Sequence, residues 1–491
     1  MKVLVTGGTG VIGRAAITEL LSRGHTVRLL SRGADDDSAS RDERVEPFSG
    51  DVGDANSVHG AATGCGAVVH IAGVVEESPP DVTFERINVE GTRNMVAEAA
   101  RADVARFIFI SSIGAQRGQS NYHRSKLEGE RIARQFVRDW IVLRTGAVAG
   151  PGDETVSVLL RMVRILPAVP IIEGGDQPFQ PIWHEDVAWA IAECLERDDV
   201  VGRVLRIAGD EVITVNDLLD MFSSITDRSP LRVPLPALLA RLGTSLAAAV
   251  GLDTPVSAAT VQMLIEGNTV TDGEDNDLTG LLGFEPRPFQ SRLVQLADDA
   301  PEQTPDEGVG KLQRRRFRID IAGGRYDAAG LAAELREHFA EMVPFEAAAE
   351  PGAPESIRDH DTLTLELPAR GHVQVRVEES TERSLTLATL EGHPLAGVVR
   401  FSFSDVAPTT VRFTIDVIER PASRLDQISM ALGGSAAQKR SWTSTAERIC
   451  AHAGGTSADG VMEDSWSLDD DEAEPLEDWV RDLIQKRDDH T

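Results

Sequence analysis

The stretch "NYHRSKLEGE", residues 121–130, places a phenol and an ammonium four residues apart in a segment with helical character. Residues at positions i and i+4 share one face of a helix, so Tyr122 and Lys126 can act together. A free phenol titrates near ~10, too high for an efficient base at neutral pH, and a neighbouring cation lowers that pKa. The spacing predicts an acid–base pair for proton transfer at a carbonyl or carbinol, with Lys126 also able to hold ribose hydroxyls.

Coincidence explains this spacing poorly. The chain holds two tyrosines, Tyr122 and Tyr326, and five lysines, so a chance Tyr-x-x-x-Lys anywhere has a probability of roughly 0.02. One alternative stays open, in which the pair is kept for cofactor binding in a protein that no longer turns over. Only nine residues separate Ser112 from Tyr122, which indicates a short substrate loop.

The elements that must position this pair alternate along the first half of the chain. Strand-like runs such as "KVLVTG", "TVRLLS", "AVVHIAG" and "RFIFISS" are separated by helical segments. Continuous apolar strands alternating with helices predict a parallel sheet covered on both faces. We therefore expect an α/β, doubly wound domain in the first half of the chain, with the pattern loosening from about residue 151 onward.

A glycine-rich turn, "VLVTGGTGVIGR", follows the first strand and opens the first helix. Glycine permits a tight turn and lets backbone N–H groups approach a pyrophosphate, which then lies at the helix N-terminus. This context of strand, turn and helix favours dinucleotide binding over an ordinary turn. The predicted cofactor-binding residues of the loop are Gly7, Thr9, Gly10, Val11, Ile12 and Gly13.

The end of the second strand, "VRLLSRG", bears on the choice of cofactor. An NAD site usually has a carboxylate there for the ribose 2′-OH, whereas an NADP site needs a cation. Ser31 stands where the acid would be, Arg32 follows it, and Arg14 lies just after the glycine loop. The sequence favours NADP through Arg32, with NAD as the alternative if Arg32 is only a solvated loop residue.

The second half of the chain has a different pattern. Residues 299–311 are rich in Pro, Gly and acid and predict a linker. Residues 312–456 combine several alternating runs, such as "TLTLELP" and "TVRFTIDVIE", with helical segments, which predicts an α+β domain of antiparallel sheet and a long helix. The acidic tail 457–491 is expected to be mobile, apart from "PLEDWVRDLIQ", which fits an amphipathic docking helix.

The ordered set "TGGTGVIG", "SGDVGD", "HIAG", "INVEGT", "FISS" and "YHRSK" resembles the short-chain dehydrogenase/reductase superfamily. It is most similar to the extended and atypical branch that includes nucleotide-sugar epimerases. Within that branch, "FERINVEGTRNMVAEAA" and "PFQPIWHEDVAWAI" resemble the nucleotide-binding accessory subunit of mitochondrial complex I and its bacterial relatives. The resemblance covers about residues 1–298 and implies a Rossmann-type domain with a small substrate subdomain from about 151–180 and 212–298. The stretches "LEGHPLAGVVRFSFS" and "VIERPAS" of the second half resemble a START-like domain.

The resemblance implies roles for further residues. Ser112 matches the serine that binds substrate, and Tyr122 with Lys126 match the acid–base pair. Asn88 matches an asparagine with a structural, sometimes proton-relay, role, whereas His70 is expected to pack. The further residues implied to lie beside the cofactor are Asp51, Val52, Ala72, Gly73, Thr145 and Val148, together with Tyr122 and Lys126. The activity implied is that of an NADP(H)-dependent oxidoreductase, epimerase or dehydratase. The alternative is a nucleotide-binding scaffold, assembly factor or redox sensor.

Composition narrows the partners. The formal charge of −30 disfavours nucleic acid. Three separated cysteines predict a reduced, cytoplasmic setting without structural zinc. The cluster of His184, Glu185 and Asp186 is expected to be structural rather than a metal site. The apolar run 235–252 is too short and interrupted for a bilayer span, so no integral membrane segment is predicted. Expected partners are a small-molecule substrate and an apolar ligand in the second domain, the protein being a monomer or dimer.

Overall fold

The computed structural model describes residues 1–34, 42–118, 120–153, 155–166, 168–226, 228–236, 269–270, 275–298, 300–343, 357–367 and 371–488. Contacts divide the chain into two compact units: Met1–Val163 with Ala168–Asp299, and Arg164–Pro167 with Ala300–Thr491. From residue 237 onward, the apolar run 235–252 lies outside the described residues. Among the helices that are described, none is both long and apolar enough to cross a bilayer.

The first part of the chain is built from alternating strands and helices. The strands are β1 Lys2–Thr6, β2 Thr26–Ser31, β3 Val45–Ser49, β4 Ala67–His70, β5 Arg106–Ser112, β6 Asp139–Thr145, β7 Ala147–Ala149, β8 Ala168–Ile172, β9 Pro178–Phe179, β10 Pro181–Trp183, β11 Val204–Ile207, β12 Ile213–Thr214 and β13 Leu231–Leu235. The helices are α1 Val11–Ser22, α2 Gly91–Arg101, α3 Asn121–Ala133, α4 Val156–Ile165, α5 His184–Glu196, α6 Val215–Thr226, α7 Asp277–Gly280 and α8 Phe289–Asp298. A π-helical turn, Glu85–Glu90, runs into α2.

Seven parallel strands form the main sheet in the order β11-β6-β5-β4-β1-β2-β3. One face packs against α1 and α5 through residues such as Val5 and Ile191. The other face packs against α2 through residues such as Phe107 and Met95. Burial on both faces accounts for the continuous apolar strands and confirms the Rossmann-type prediction.

Strand order reverses between β1 and β4, so the connections after these two strands lead to opposite faces of the sheet. Such a switch point leaves a crevice at the carboxyl ends of the strands, where ligands of this fold class bind. A Cβ on Gly7, just after β1, would lie 2.7 Å from the backbone nitrogen of Ala72, just after β4. The two connections therefore touch at the base of the crevice.

The second unit is a seven-stranded antiparallel sheet in the order β15-β16-β17-β18-β19-β14-β20. Phe317, Ile319 and Phe413 pack one face against helices, which confirms the predicted α+β class. Its strands are β14 Leu312–Ala322, β15 Thr362–Leu367, β16 Gly371–Ser380, β17 Ser384–Thr389, β18 Leu395–Ala407, β19 Thr410–Pro421 and β20 Met462–Leu468. Its helices are α9 Ala328–Glu337, α10 Phe339–Met342, α11 Arg424–Ser429, α12 Ser435–His452 and α13 Asp470–Asp488.

Residues 457–488 of the acidic tail are ordered, so the expectation of mobility is wrong for them. Strand β20 pairs with β14, and α13 packs Ala473 and Val480 against Leu312, Val398 and Ile418 of the sheet. The amphipathic helix predicted in this segment therefore docks on its own chain. The acid-rich composition hid this outcome because the apolar residues that dock are spaced along one helix face among exposed carboxylates.

Of the predicted linker 299–311, residues 300–311 are also ordered against the second sheet. Gln303 donates its backbone N–H to the Thr389 carbonyl at 2.7 Å. Glu302 forms a largely buried ion pair with Arg376 of β16. Thr304 and Glu307 form a capping box around the short 3₁₀ turn Pro305–Glu307. These contacts make residues 300–311 part of the second unit.

Candidate active site

A cleft of about 700 Å³ opens at the switch point of the parallel sheet. It is lined by the glycine loop after β1, the ends of β2, β4 and β5, and helix α3. Every residue predicted from the sequence to belong to the site lines it. These residues are Gly7, Thr9, Gly10, Val11, Ile12, Gly13, Arg32, Asp51, Val52, Ala72, Gly73, Ser112, Tyr122, Lys126, Thr145 and Val148.

The glycine loop has the shape of an anion cradle. Gly7 adopts φ +69°, which favours glycine, and a Cβ on Gly13 would lie 2.1 Å from the Gly7 carbonyl oxygen. A Cβ on Gly10 would meet no atom closer than 3.5 Å, so the space above Gly10 is open to the cleft. Helix α1 starts there without a side-chain cap or an acidic residue in its first turn. Its N-terminus therefore suits a diphosphate.

Polar side chains at the end of β2 can contact the part of a dinucleotide that lies beyond its diphosphate. The Ser31 hydroxyl is buried and finds no hydrogen-bond partner among the described residues, so a ligand oxygen would satisfy it. Arg32 beside it is exposed. Burial alone would raise the pKa of Asp51, but hydrogen bonds from Arg86 and the Gly53 N–H, with the charge of Arg32, hold it below its usual value. The residues present fit a dinucleotide.

Lys126 is the buried cation of the cleft. Its Nζ donates to the Ile110 carbonyl oxygen at 2.9 Å and lies 5.2 Å from the centre of the Phe109 ring. Burial lowers the pKa of Lys126 to about 8, against the opposing charge of Glu130. A Cβ on Gly73 would come within 3.0 Å of this Nζ, so a glycine at that position keeps the ammonium accessible from the cleft.

Tyr122 and Ser112 complete the predicted triad. The half-buried Tyr122 ring lies between Phe84 at 6.1 Å and His123 at 5.2 Å, measured between ring centroids. Ser112 ends β5 and accepts the Gly114 N–H at 3.3 Å, which leaves its own O–H to donate. His123 is buried, and its ring packs against Gly114.

Asn88 ties the loop after β4 to helix α3. Its Oδ1 accepts the Val74 N–H at 2.8 Å, and its Nδ2 donates to the Val74 carbonyl at 3.0 Å and to Ser125 Oγ at 2.9 Å. Ser125 Oγ in turn donates to the Tyr122 carbonyl at 2.7 Å. Because both amide protons are engaged, the contacts of Asn88 are those of a structural residue, and it holds the backbone at Tyr122.

His70 belongs to a hydrogen-bond chain beneath the site. Thr6 Oγ1 accepts the Ala72 N–H at 3.2 Å and donates to His70 Nδ1 at 2.7 Å. His70 Nε2 then donates to Thr92 Oγ1 at 3.2 Å, and Thr92 donates to the Asn88 carbonyl at 2.7 Å. Burial, with the nearby Lys126 charge, lowers the pKa of His70 to about 3, so the ring is neutral. The chain positions Ala72 and Asn88, which agrees with the expected packing role.

Sequence reasoning missed a buried ion pair one turn beyond Lys126 on α3. Arg144 donates from Nε and Nη2 to the two carboxylate oxygens of Glu130 at 2.8 and 2.7 Å, and Ser111 Oγ donates to Glu130 at 2.6 Å. Glu130 is fully buried. Its position four residues after Lys126 was the available signal, because Tyr122, Lys126 and Glu130 follow one another at i+4 spacing.

The cluster at the start of α5 has no metal-site geometry. His184 packs against Gly150, where a Cβ would lie 2.1 Å from the imidazole ring. Glu185 pairs with Arg292 at 2.7 Å. Burial raises the pKa of Asp186 to about 6. His184 and Glu185 are thus engaged by different parts of the chain.

Residues 3–208 match the NAD dependent epimerase/dehydratase family. Ceramide reductase of Caulobacter vibrioides (strain NA1000 / CB15N) is 29% identical over 253 residues, covering 46% of this chain and 79% of that protein. Sterol demethylase protein B of Methylococcus capsulatus (strain ATCC 33009 / NCIMB 11132 / Bath) is 30% identical over 261 residues, covering 48% and 78%. NADH dehydrogenase (ubiquinone) 1 alpha subcomplex subunit 9 of Dictyostelium discoideum is 28% identical over 240 residues, covering 47% and 66%. These matches confirm the resemblance of the first half to the dehydrogenase/reductase superfamily and to the complex I subunit. The START-like resemblance stays a prediction.

Proposed function

Because the chain belongs to the NAD dependent epimerase/dehydratase family, we propose that it is an NADP(H)-dependent oxidoreductase, epimerase or dehydratase acting at a carbonyl or carbinol carbon. One observation carries the proposal: Tyr122, Lys126 and Ser112 line the same cleft as the glycine loop. An acid–base group, a cation and a hydroxyl donor thus share one site with an anion cradle.

Each residue of the triad has a distinct proposed role. The nicotinamide cofactor would supply or accept hydride when bound. Tyr122 gives a proton to the substrate oxygen during reduction and takes it back during oxidation. The Lys126 ammonium favours the ionised phenol and can hold ribose hydroxyls. Ser112 donates its O–H to the substrate oxygen and so orients it.

The proposal is tested by incubating the purified protein with NADPH, and separately with NADH, and a panel of carbonyl compounds. The panel spans nucleotide sugars, suggested by the family, and ceramide- and sterol-like ketones, suggested by the names of the relatives. Apolar ketones are included because Val74, Val82 and Phe179 also line the cleft. Cofactor oxidation with at least one class is expected. Its absence across the panel, with no nucleotide co-purifying in native mass spectrometry, would refute the proposal.

Arg32 is proposed to bind the 2′-phosphate of NADP. Replacing Arg32 by alanine should weaken NADPH binding by about 10–100-fold, because one charge-assisted contact of about 1.5–3 kcal/mol is lost, and leave NADH binding nearly unchanged. Titration of both cofactors by protein fluorescence measures the effect. Arg93→Ala, at an exposed arginine paired with Glu90 on α2, is the control. Equal losses for both cofactors, or a wild type that prefers NADH, would contradict the assignment.

Lys126 is expected to assist the reaction and to lower the free energy of unfolding. Its folded-state pKa is about 8 against 10.5 for the free side chain, so the charged form costs stability below pH 8. Replacing Lys126 by methionine should raise the free energy of unfolding at pH 7 by about 1–3 kcal/mol, the ionisation cost less one lost hydrogen bond, while lowering turnover. Urea denaturation measures the gain.

The pH dependence of the higher free energy of unfolding of Lys126→Met tests whether it comes from removing the buried charge. Between pH 8 and 10.5 the unfolded state holds the Lys126 proton more tightly than the folded state. Wild-type stability should therefore rise relative to the methionine variant as pH increases through this window. Lys126→Arg keeps the charge and should show no gain. A Lys126→Met protein less stable than wild type at pH 7 would contradict the prediction.

The match to the complex I subunit favours a second candidate function. Under this second candidate, the chain is a nucleotide-binding scaffold, assembly factor or redox sensor, and Lys126 holds the cofactor ribose without turnover. The cofactor would then raise the melting temperature, and the second unit would bind a partner or an apolar ligand. Recovery of a membrane complex with the tagged protein, together with full cellular function of Tyr122→Phe, would select this candidate over the first.

A further inference from the structure

Outside the cleft, the second unit brings together two imidazoles and a carboxylate. Glu334 lies on α9, His338 follows the end of that helix, and His452 ends α12. One nitrogen of each histidine and one oxygen of Glu334 lie within 4.8 Å of one another. All three side chains are partly buried, with 22–37% of their surface exposed. We propose that Glu334, His338 and His452 bind a divalent transition-metal ion, for which zinc is the best match.

The donor atoms already converge. Glu334 Oε2 lies 2.7 Å from His452 Nε2 and 3.5 Å from His338 Nδ1. Zinc bonds of about 2.0–2.2 Å in tetrahedral geometry separate ligand atoms by about 3.3–3.5 Å. The first observed separation is shorter than that value and the second matches it, so side-chain rotations that move these atoms by about 1 Å would seat an ion.

Rigid elements supply the ligands. Glu334 lies on α9, which is anchored by burying Leu331 and Leu335 in the core, and His338 follows directly after the end of this helix. The end of α12 is held at two points by Arg325. Its guanidinium donates to the His452 carbonyl at 2.6 Å, and its backbone N–H donates to the Ala453 carbonyl at 2.9 Å. An ion bound here would clasp α9 to the end of α12.

The donor set selects the class of ion. Two imidazole nitrogens with one carboxylate oxygen suit zinc and neighbouring transition metals, whereas magnesium and calcium require mainly oxygen ligands. Three protein ligands leave a fourth position open, and the partial exposure of the cluster lets water or a small anion fill it. The site lies in the second unit, so the inference stands apart from the proposed function.

The test is calorimetric titration of the full-length, chelator-treated protein with zinc chloride, in magnesium-containing buffer that occupies nonspecific carboxylate sites. One zinc per chain is expected to bind. His338→Asn and His452→Asn should each weaken zinc binding by at least about 100-fold. Losing a residue that only hydrogen-bonds a metal ligand already costs about 10–100-fold in affinity, and these changes remove a ligand itself. His360→Asn, which alters an exposed histidine of the same unit outside the cluster, should bind as wild type.

A further variant separates loss of zinc binding from loss of folding. Glu334→Gln keeps the shape of the side chain and removes its charge, so its circular dichroism should match wild type while zinc binding weakens. Zinc should raise the melting temperature of wild type and of His360→Asn, but not of Glu334→Gln. Absence of stoichiometric zinc binding by wild type, or undiminished binding by His338→Asn, would show that Glu334 and His452 form only an ion pair.

Discussion

Replacing Tyr122 by phenylalanine is expected to lower turnover by about 10²–10⁴-fold and to leave cofactor affinity nearly unchanged. The change removes one oxygen and its proton from a half-buried ring that lines the cleft. The backbone at Tyr122 is held by Ser125, which donates to the Tyr122 carbonyl and accepts from Asn88. These hydrogen bonds do not involve the phenol hydroxyl. The altered chain should therefore keep the shape of the site and lose proton transfer alone.

The measurement is the initial rate of cofactor oxidation with whichever carbonyl class proves active, alongside cofactor titration. Tyr326, the second of the two tyrosines and part of the other unit, provides the matched control. Tyr326→Phe should retain wild-type turnover. If Tyr122→Phe also retained it, Tyr122 would not be the acid–base group, and the non-catalytic candidate would gain support.

Replacing Arg144 by methionine should lower the free energy of unfolding by about 3–5 kcal/mol, because it leaves the carboxylate of Glu130 buried without its cation. Glu130 has no exposed surface and Arg144 is nearly as buried. Urea denaturation at pH 7 measures the loss.

Two further variants show whether the loss of stability in Arg144→Met comes from the unpaired buried charge. Arg131→Ala breaks an exposed pair with Glu128 on the same helix and should cost less than about 1 kcal/mol. Replacing both buried partners, Glu130→Leu with Arg144→Met, should restore most of the lost stability, since no buried charge remains. A loss for Arg144→Met no larger than that for Arg131→Ala would mean that the buried pair is not a stabilising contact.

Much of the candidate site follows from local sequence. Spacing of four residues places Tyr122 and Lys126 on one helix face, and Gly7 needs a positive φ that glycine adopts without strain. Such features depend on a few neighbouring residues, so a pattern can predict them. Alternation of apolar strands with helices likewise predicted the doubly wound sheet, because burial on both faces demands it.

Other features depend on partners far apart in the chain. Glu130 meets Arg144 only because β5 and β6 are neighbours and α3 packs against β5. The chain from Ala72 through Thr6 and His70 joins residues more than sixty positions apart. Composition also misled at the tail, where acidic residues concealed the face of α13 that docks on the sheet.

The sequence by itself determined the class of the first fold, the glycine cradle and the spacing of Tyr122 and Lys126, because each follows from local backbone geometry or from the periodicity of burial. Only the tertiary structure decided the depth to which Lys126 is buried, the neutral state of His70 and the meeting of Glu334 with His452. Burial and long-range contact set ionisation, and both exist only once distant segments have packed together.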